Sequence, residues 1–128
     1  MKVLLDTHAL LWLIAGDRRL SERAIATYMD CKNHMFFSVA SFWEICIKKS
    51  LDKLSLKSGW MQIIQNEMTT NSIQWLPIEM KHCAEIIHMP FHHRDPFDRL
   101  LIAQAIAEGM RLMSRDHRFS DYAIDRIW

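Results

Sequence analysis

HRDPFDRLLIAQA, residues 93–105, sets two aspartates three positions apart at the mouth of an almost wholly apolar helix. Asp95-Pro96 reads as an N-cap followed by proline at the first helical position, and Asp98 as an acid in the first turn. Gly109 closes the helix, and "RLMS" at 111–114 reads as a strand. The linking "EGM" is too short for anything but an antiparallel turn-back. The helix must then start at the sheet edge where the strand ends, which brings Asp98 and Asp116 to one side.

The chain on either side alternates in the same way. Lys2 to Leu5 reads as a short buried strand, followed by a helix from Thr7 to the Gly16-Asp17 break. Residues 20–33 keep a helical period with Ser21 as cap. "HMFFSVA" at 34–40 reads as a strand and "SFWEICIKKSLDKL" at 41–54 as a helix. Further helices are expected over Gly59–Thr70 and 79–89, with a strand at 72–78 between them. A loop at 90–94 precedes the opening helix, a turn is expected at 115–119, and a final short strand within 123–128. Short apolar strands alternating with helices predict an α/β domain whose mainly parallel central sheet is flanked by helices. No repeat, linker or low-complexity segment divides residues 1–128, so one domain is expected.

The net charge of +1 leaves no global basic footprint, so any nucleic-acid contact must come from a local patch. Cys31, Cys46 and Cys83 are odd in number and lack metal-ligand spacing, which reads as free thiols in a reducing compartment. The apolar N-terminal run is interrupted by Asp6 and His8, and no stretch reaches the ~18 apolar residues of a membrane span. A cytoplasmic protein is expected.

Four acids share the carboxyl edge of this sheet: Asp6 after the first strand, Glu44 in the first turn after the second, Asp98, and Asp116 after "RLMS". Open α/β folds bind their ligands at that edge. Clustered carboxylates oppose one another's ionisation, and a hard divalent cation resolves the conflict. With no histidine or cysteine at ligand spacing, Mg²⁺ or Mn²⁺ is favoured over zinc. Such a cation activates water and neutralises charge on a phosphodiester, which points to phosphate-ester hydrolysis. Each acid also has a purely structural reading. Ser41 and Glu44 fit a capping box, Asp95 and Asp98 a helix start, Asp6 a cap and Asp116 a turn.

"VLLDTHALLWLIAG", "SVASFWEICIKKSLDKL", "HRDPFDRLLIAQAIAEG" and "LMSRDHRF" resemble, in order and spacing, the successive signatures of PIN-domain proteins, nearest to the VapC-type ribonuclease toxins of type II toxin–antitoxin pairs. The resemblance implies a PIN-like α/β/α fold and a metal-dependent endoribonuclease. It assigns Asp6, Glu44, Asp98 and Asp116 as the family's first to fourth acids. Asp6, Asp98 and Asp116 would hold Mg²⁺ or Mn²⁺, and Glu44 would complete the shell or orient water. Ser114 stands where the family often has threonine, and Thr7 would assist beside Asp6. The resemblance further implies an antitoxin partner, an RNA substrate and a homodimer.

Around the acids, Arg99, Arg115, His92 and His93 are candidate RNA contacts, with an Asp95–Arg99 ion pair as the local alternative. Lys48 and Lys49 read as a solvated helix face, and Trp12 and Trp43 as core. Two other functions fit parts of the pattern. An aspartyl-phosphate phosphatase would use Asp6 as nucleophile but needs an aspartate where His8 stands. A non-catalytic RNA- or protein-binding module would use the acids only as caps.

Overall fold

The strand β1 (Lys2–Leu5) is the middle of the sheet in the computed structural model, which describes residues 1–128. On one side lie β2 (His34–Ser38) and β3 (Gln74–Leu76), on the other β4 (Arg111–Met113) and β5 (Arg126–Ile127). The order is β3-β2-β1-β4-β5, with every neighbouring pair parallel. The chain builds outward from β1 in one direction, then crosses back to start again at β4. That reversal opens a crevice beyond the carboxyl ends of β1 and β4.

The helices are α1 (Thr7–Ala15), α2 (Glu22–Met29), α3 (Val39–Ser50), α4 (Trp60–Thr70), α5 (Met80–Glu85) and α6 (Pro96–Glu108). Alternation along β1 divides the core into two layers. Val3 and Leu5 join Leu10, Ala24, Phe37 and Ile64 on one face. Leu4 joins Leu101, Ile102 and Leu112 on the other. The α/β/α expectation and the predominantly parallel sheet are both observed; the sheet is in fact wholly parallel.

Element boundaries depart from the sequence reading in instructive places. The second strand stops at Ser38, two residues early, because its side chain accepts from the Ala40 N–H (3.0 Å) and caps α3. The Ser38 hydroxyl also donates to Gln104 Oε1 (2.6 Å), tying the strand end to α6. Ser41 is therefore inside the helix and caps nothing, and Glu44 lies in the second turn rather than the first. The turn at 115–119 is mostly a 3-10 helix, His117–Asp121. At α6, Asp95 Oδ1 accepts from the Phe97 and Asp98 N–H groups, Pro96 opens the helix, and Gly109 closes it at φ +65°.

Arg99 requires a correction. It is buried, and its guanidinium donates to the carbonyls of Pro90 (3.0 Å) and Ile86 (3.4 Å) while stacking 4.0 Å from the Phe91 ring. It does not pair with Asp95 and does not line the acid cleft, because α6 turns this side chain toward the segment leaving α5. Arg99 supplies a donor to the Pro90 carbonyl and adds a second, longer one to the Ile86 carbonyl, which also accepts from the Met89 N–H. Arg99→Ala should destabilise the fold by about 2 kcal/mol in urea unfolding, through lost packing and loss of the Pro90 carbonyl's donor.

Candidate active site

Asp6 follows β1 directly, and its N–H donates to the Met113 carbonyl (3.1 Å), so the β1–β4 pairing continues to the crevice. Its Oδ1 accepts from the Ala9 N–H (2.7 Å), making it the N-cap of α1. Burial pushes its carboxyl up to about 6, against the lowering effect of hydrogen bonds from Ser114 and Ala9. Ser114 is fully buried at the end of β4 and also accepts from the Asp116 N–H (3.1 Å). The capping reading of Asp6 is thus correct, and the cap engages Oδ1.

Glu44 is buried on α3. Thr7 donates to its Oε1 at 2.6 Å, and Lys48 donates to its Oε2 at 2.8 Å. Thr7 therefore serves Glu44, where the sequence reading placed it with Asp6. Lys48 is a partner of the site while its side chain stays partly exposed. Its spacing of four from Glu44 on one helix is the signal that identifies it.

Asp98 is the most perturbed acid. Burial comes first and the charges of Asp95, Glu44 and Asp116 follow, together pushing it up to about 7. Asp95 also lines the cleft, so it caps α6 and adds charge to its neighbour at once.

Asp116 behaves in the opposite way. Arg118 donates to both of its oxygens (3.1 and 2.9 Å), and His93 Nε2 reaches Oδ2 at 3.0 Å. Arg118 first, then His93, hold its carboxyl well below the usual range despite partial burial. His93 is itself buried, stacked between Phe119 and Tyr122. The Tyr122 oxygen accepts from the His92 and His93 N–H groups (3.1 and 2.9 Å), so its own proton goes to His93 Nδ1. Nε2 then carries the hydrogen toward Asp116. His93 is thus no surface RNA contact; it fixes an acid from behind. His92 and Arg115 are exposed, as an RNA contact requires. Sequence reading missed Arg118, whose signal is its place two residues beyond Asp116.

The four acids meet in one cleft of about 200 Å³, which Lys48 and Asp95 also line. An all-oxygen donor set with two carboxyls pushed toward neutrality suits a hard divalent cation. Away from the cleft, Glu79, His82 and Glu108 bring ligand atoms within 4.8 Å of one another, a closeness the four acids do not reach. There, His82 Nδ1 accepts from the Glu79 N–H (3.0 Å) and Nε2 faces Glu108 (2.8 Å), while Lys81 bridges both glutamates. Both imidazole nitrogens are in use and the acids are already neutralised, so this network ties α5 to α6. Trp43 is 55% exposed and meets Phe97 edge-on at the cleft rim, contrary to its expected place in the core.

The sequence model of the PIN domain matches residues 3–125. The chain belongs to the PIN-domain family. It is similar to Ribonuclease VapC22 of Mycobacterium tuberculosis, with 27% identity over 133 residues and 98% of each chain covered. Its fold is similar to VapBC2 from Rickettsia felis bound to a DNA fragment from their promoter, at TM-score 0.72 and 13% identity, covering 98% of this chain and 97% of that one. A toxin-antitoxin complex from Klebsiella pneumoniae aligns at TM-score 0.54 and 14% identity, over 89% and 86% of the two chains. At such identities these two structures speak for the PIN fold alone.

In this PIN domain, Asp6 and Asp98 hold protons more tightly folded than unfolded, where aspartate titrates near ~3.9. The folded state binds the excess protons between about pH 4 and about 7, so their contribution to stability falls as pH rises through that window. Asp98→Asn should therefore raise the metal-free Tm by several degrees at pH 7.5 and leave it nearly unchanged at pH 4. Thermal melts in EDTA measure both, and comparison at equal pH cancels the opposite contribution of Asp116.

Proposed function

We propose that this PIN-domain protein is a metal-dependent endoribonuclease and the toxin of a type II toxin–antitoxin pair. One observation carries the reading: Asp6, Glu44, Asp98 and Asp116, remote in sequence, line one cleft at the switch point of the sheet. The name of the VapC22 relative supports the ribonuclease activity, and the toxin–antitoxin complexes among its structural neighbours support the partner.

Asp6, Asp98 and Asp116 would hold Mg²⁺ or Mn²⁺. The bound ion supplies water activation and charge neutralisation on the phosphodiester. The chain's own residues prepare that site. Asp6 and Asp98 retain part of their proton population near neutral pH, which lessens repulsion until a cation enters. Ser114 orients Asp6, and His93 with Arg118 orients Asp116. Glu44 already accepts one hydrogen bond on each oxygen, which makes it an orienting anion whose remaining lone pairs can order water. Leu11, Ile14, Trp60 and Ile63 line an apolar groove between α1 and α4, in keeping with the surplus of apolar residues on α1 and with a protein partner. A second copy of the chain is a further partner under this reading. No helix is long and apolar enough to cross a membrane.

RNA cleavage by nuclease-free protein should stop in EDTA and return with Mn²⁺. Asp6→Asn and Asp98→Asn should each lower the cleavage rate by about a thousandfold with the fold intact by circular dichroism. Asp95→Asn, which keeps a good cap, should stay within about fivefold of the parent. Cleavage that persists in EDTA and in Asp6→Asn would remove the metal mechanism. Because cation entry displaces protons from Asp6 and Asp98, calorimetric Mn²⁺ affinity should strengthen from pH 5 to about 7 and then level off.

A further inference from the structure

We infer that the pocket formed by Trp12, Arg19 and Arg115 beside the acids is a phosphate-binding subsite for the RNA strand flanking the cut bond, an inference that rests on the endoribonuclease reading. The pocket shares Asp6, His8 and Asp116 with the acid cleft and is otherwise lined by Trp12, Arg19 and Arg115. The two are adjoining compartments of one surface. A ligand in this pocket has one end at the acids.

Both guanidiniums gather over the same indole, Arg19 at 4.4 Å and Arg115 at 6.0 Å from the Trp12 ring centre. Trp12 is braced from its edge by Trp128 at 5.7 Å. Arg19 is also held by Asp17, in the turn after α1, through Nε–Oδ1 (3.0 Å) and Nη2–Oδ2 (2.8 Å). Two of its five donors are engaged there, and three remain for a ligand. A guanidinium pinned to an aromatic face is partly relieved of water and keeps its donors in a fixed plane, which suits phosphate oxygens.

The carboxylates of the pocket do not satisfy these cations. Asp116 is engaged by Arg118 and His93, and Asp6 by Ala9 and Ser114. Arg115 takes part in no ion pair. Arg19 keeps three donors beyond its pair with Asp17 and Arg115 has no ion-pair partner, so an anion from outside the chain can engage both. A polynucleotide carries anions at regular intervals, so a strand with one phosphate at the acids delivers the next to an adjoining compartment. A protein carboxylate has no such reason to extend from the acid site.

The test uses Arg19→Gln and Arg115→Gln, both at exposed positions, singly and together. Anisotropy of a labelled single-stranded RNA in EDTA reads binding without cleavage, and Mn²⁺-started kinetics read KM and kcat. The double variant should bind about tenfold more weakly, with KM raised in step and with kcat and calorimetric Mn²⁺ affinity unchanged. The dependence of log affinity on log salt should become shallower by about 0.7 for each phosphate released. Arg115→Lys should recover part of the loss, as a point charge replaces a planar donor. If the parent binds RNA through these arginines yet cleaves nothing, the subsite stands and the nuclease reading falls. If the parent cleaves and the double variant matches it in affinity, KM and salt slope, the subsite is wrong. A double variant that loses binding to a protein partner and keeps parental RNA affinity also overturns it, in favour of a carboxylate ligand.

Discussion

Four carboxylates gathered at the carboxyl edge of the sheet share one partly buried cleft, where burial first and mutual repulsion second oppose their ionisation. Asp6 and Asp98 answer that penalty by holding protons toward neutral pH. Glu44 and Asp116 answer it by taking cations of their own, Lys48 and Arg118. Two of the acids are thus relieved by protonation and two by ion pairing. A divalent cation in the cleft would let the first pair ionise while the second pair remains in place.

The same cleft shows how a small α/β domain fixes acids that sit on loops and helix starts. Each is held by something behind it. Asp6 is part of the β1–β4 ladder through its backbone and the cap of α1 through its side chain. Asp116 is gripped by a buried histidine whose tautomer is set by Tyr122. Asp98 rides on a helix whose start is set by Asp95 and whose flank is anchored by Arg99 to the preceding segment. The capping reading of Asp6 is observed, and a side chain that caps one helix through one oxygen is compatible with a further role in the cleft.

Much of the fold was legible in the order of elements. The short link between α6 and β4 placed Asp98 beside Asp116, and the alternation of strands and helices placed Asp6 and Glu44 at the same edge. The errors share one cause. Val39 and Ala40 look like strand continuation until Ser38 is seen to cap α3 and bond Gln104, a residue 66 positions away. His93 and Arg99 look like surface cations until Tyr122, Pro90 and Ile86 are found around them.

The sequence by itself determined the α/β class, the helix start at Asp95-Pro96, the stop at Gly109 and the gathering of four acids. These follow from periodicity, from caps and from the rule that parallel strands end on one side, all of which are local or topological. Tertiary structure alone decided which way each long polar side chain turned. It sent Arg99 and His93 inward and set Arg19 and Arg115 over Trp12. A flexible side chain settles where a distant carbonyl, ring or carboxylate satisfies it, and no spacing along the chain encodes that partner.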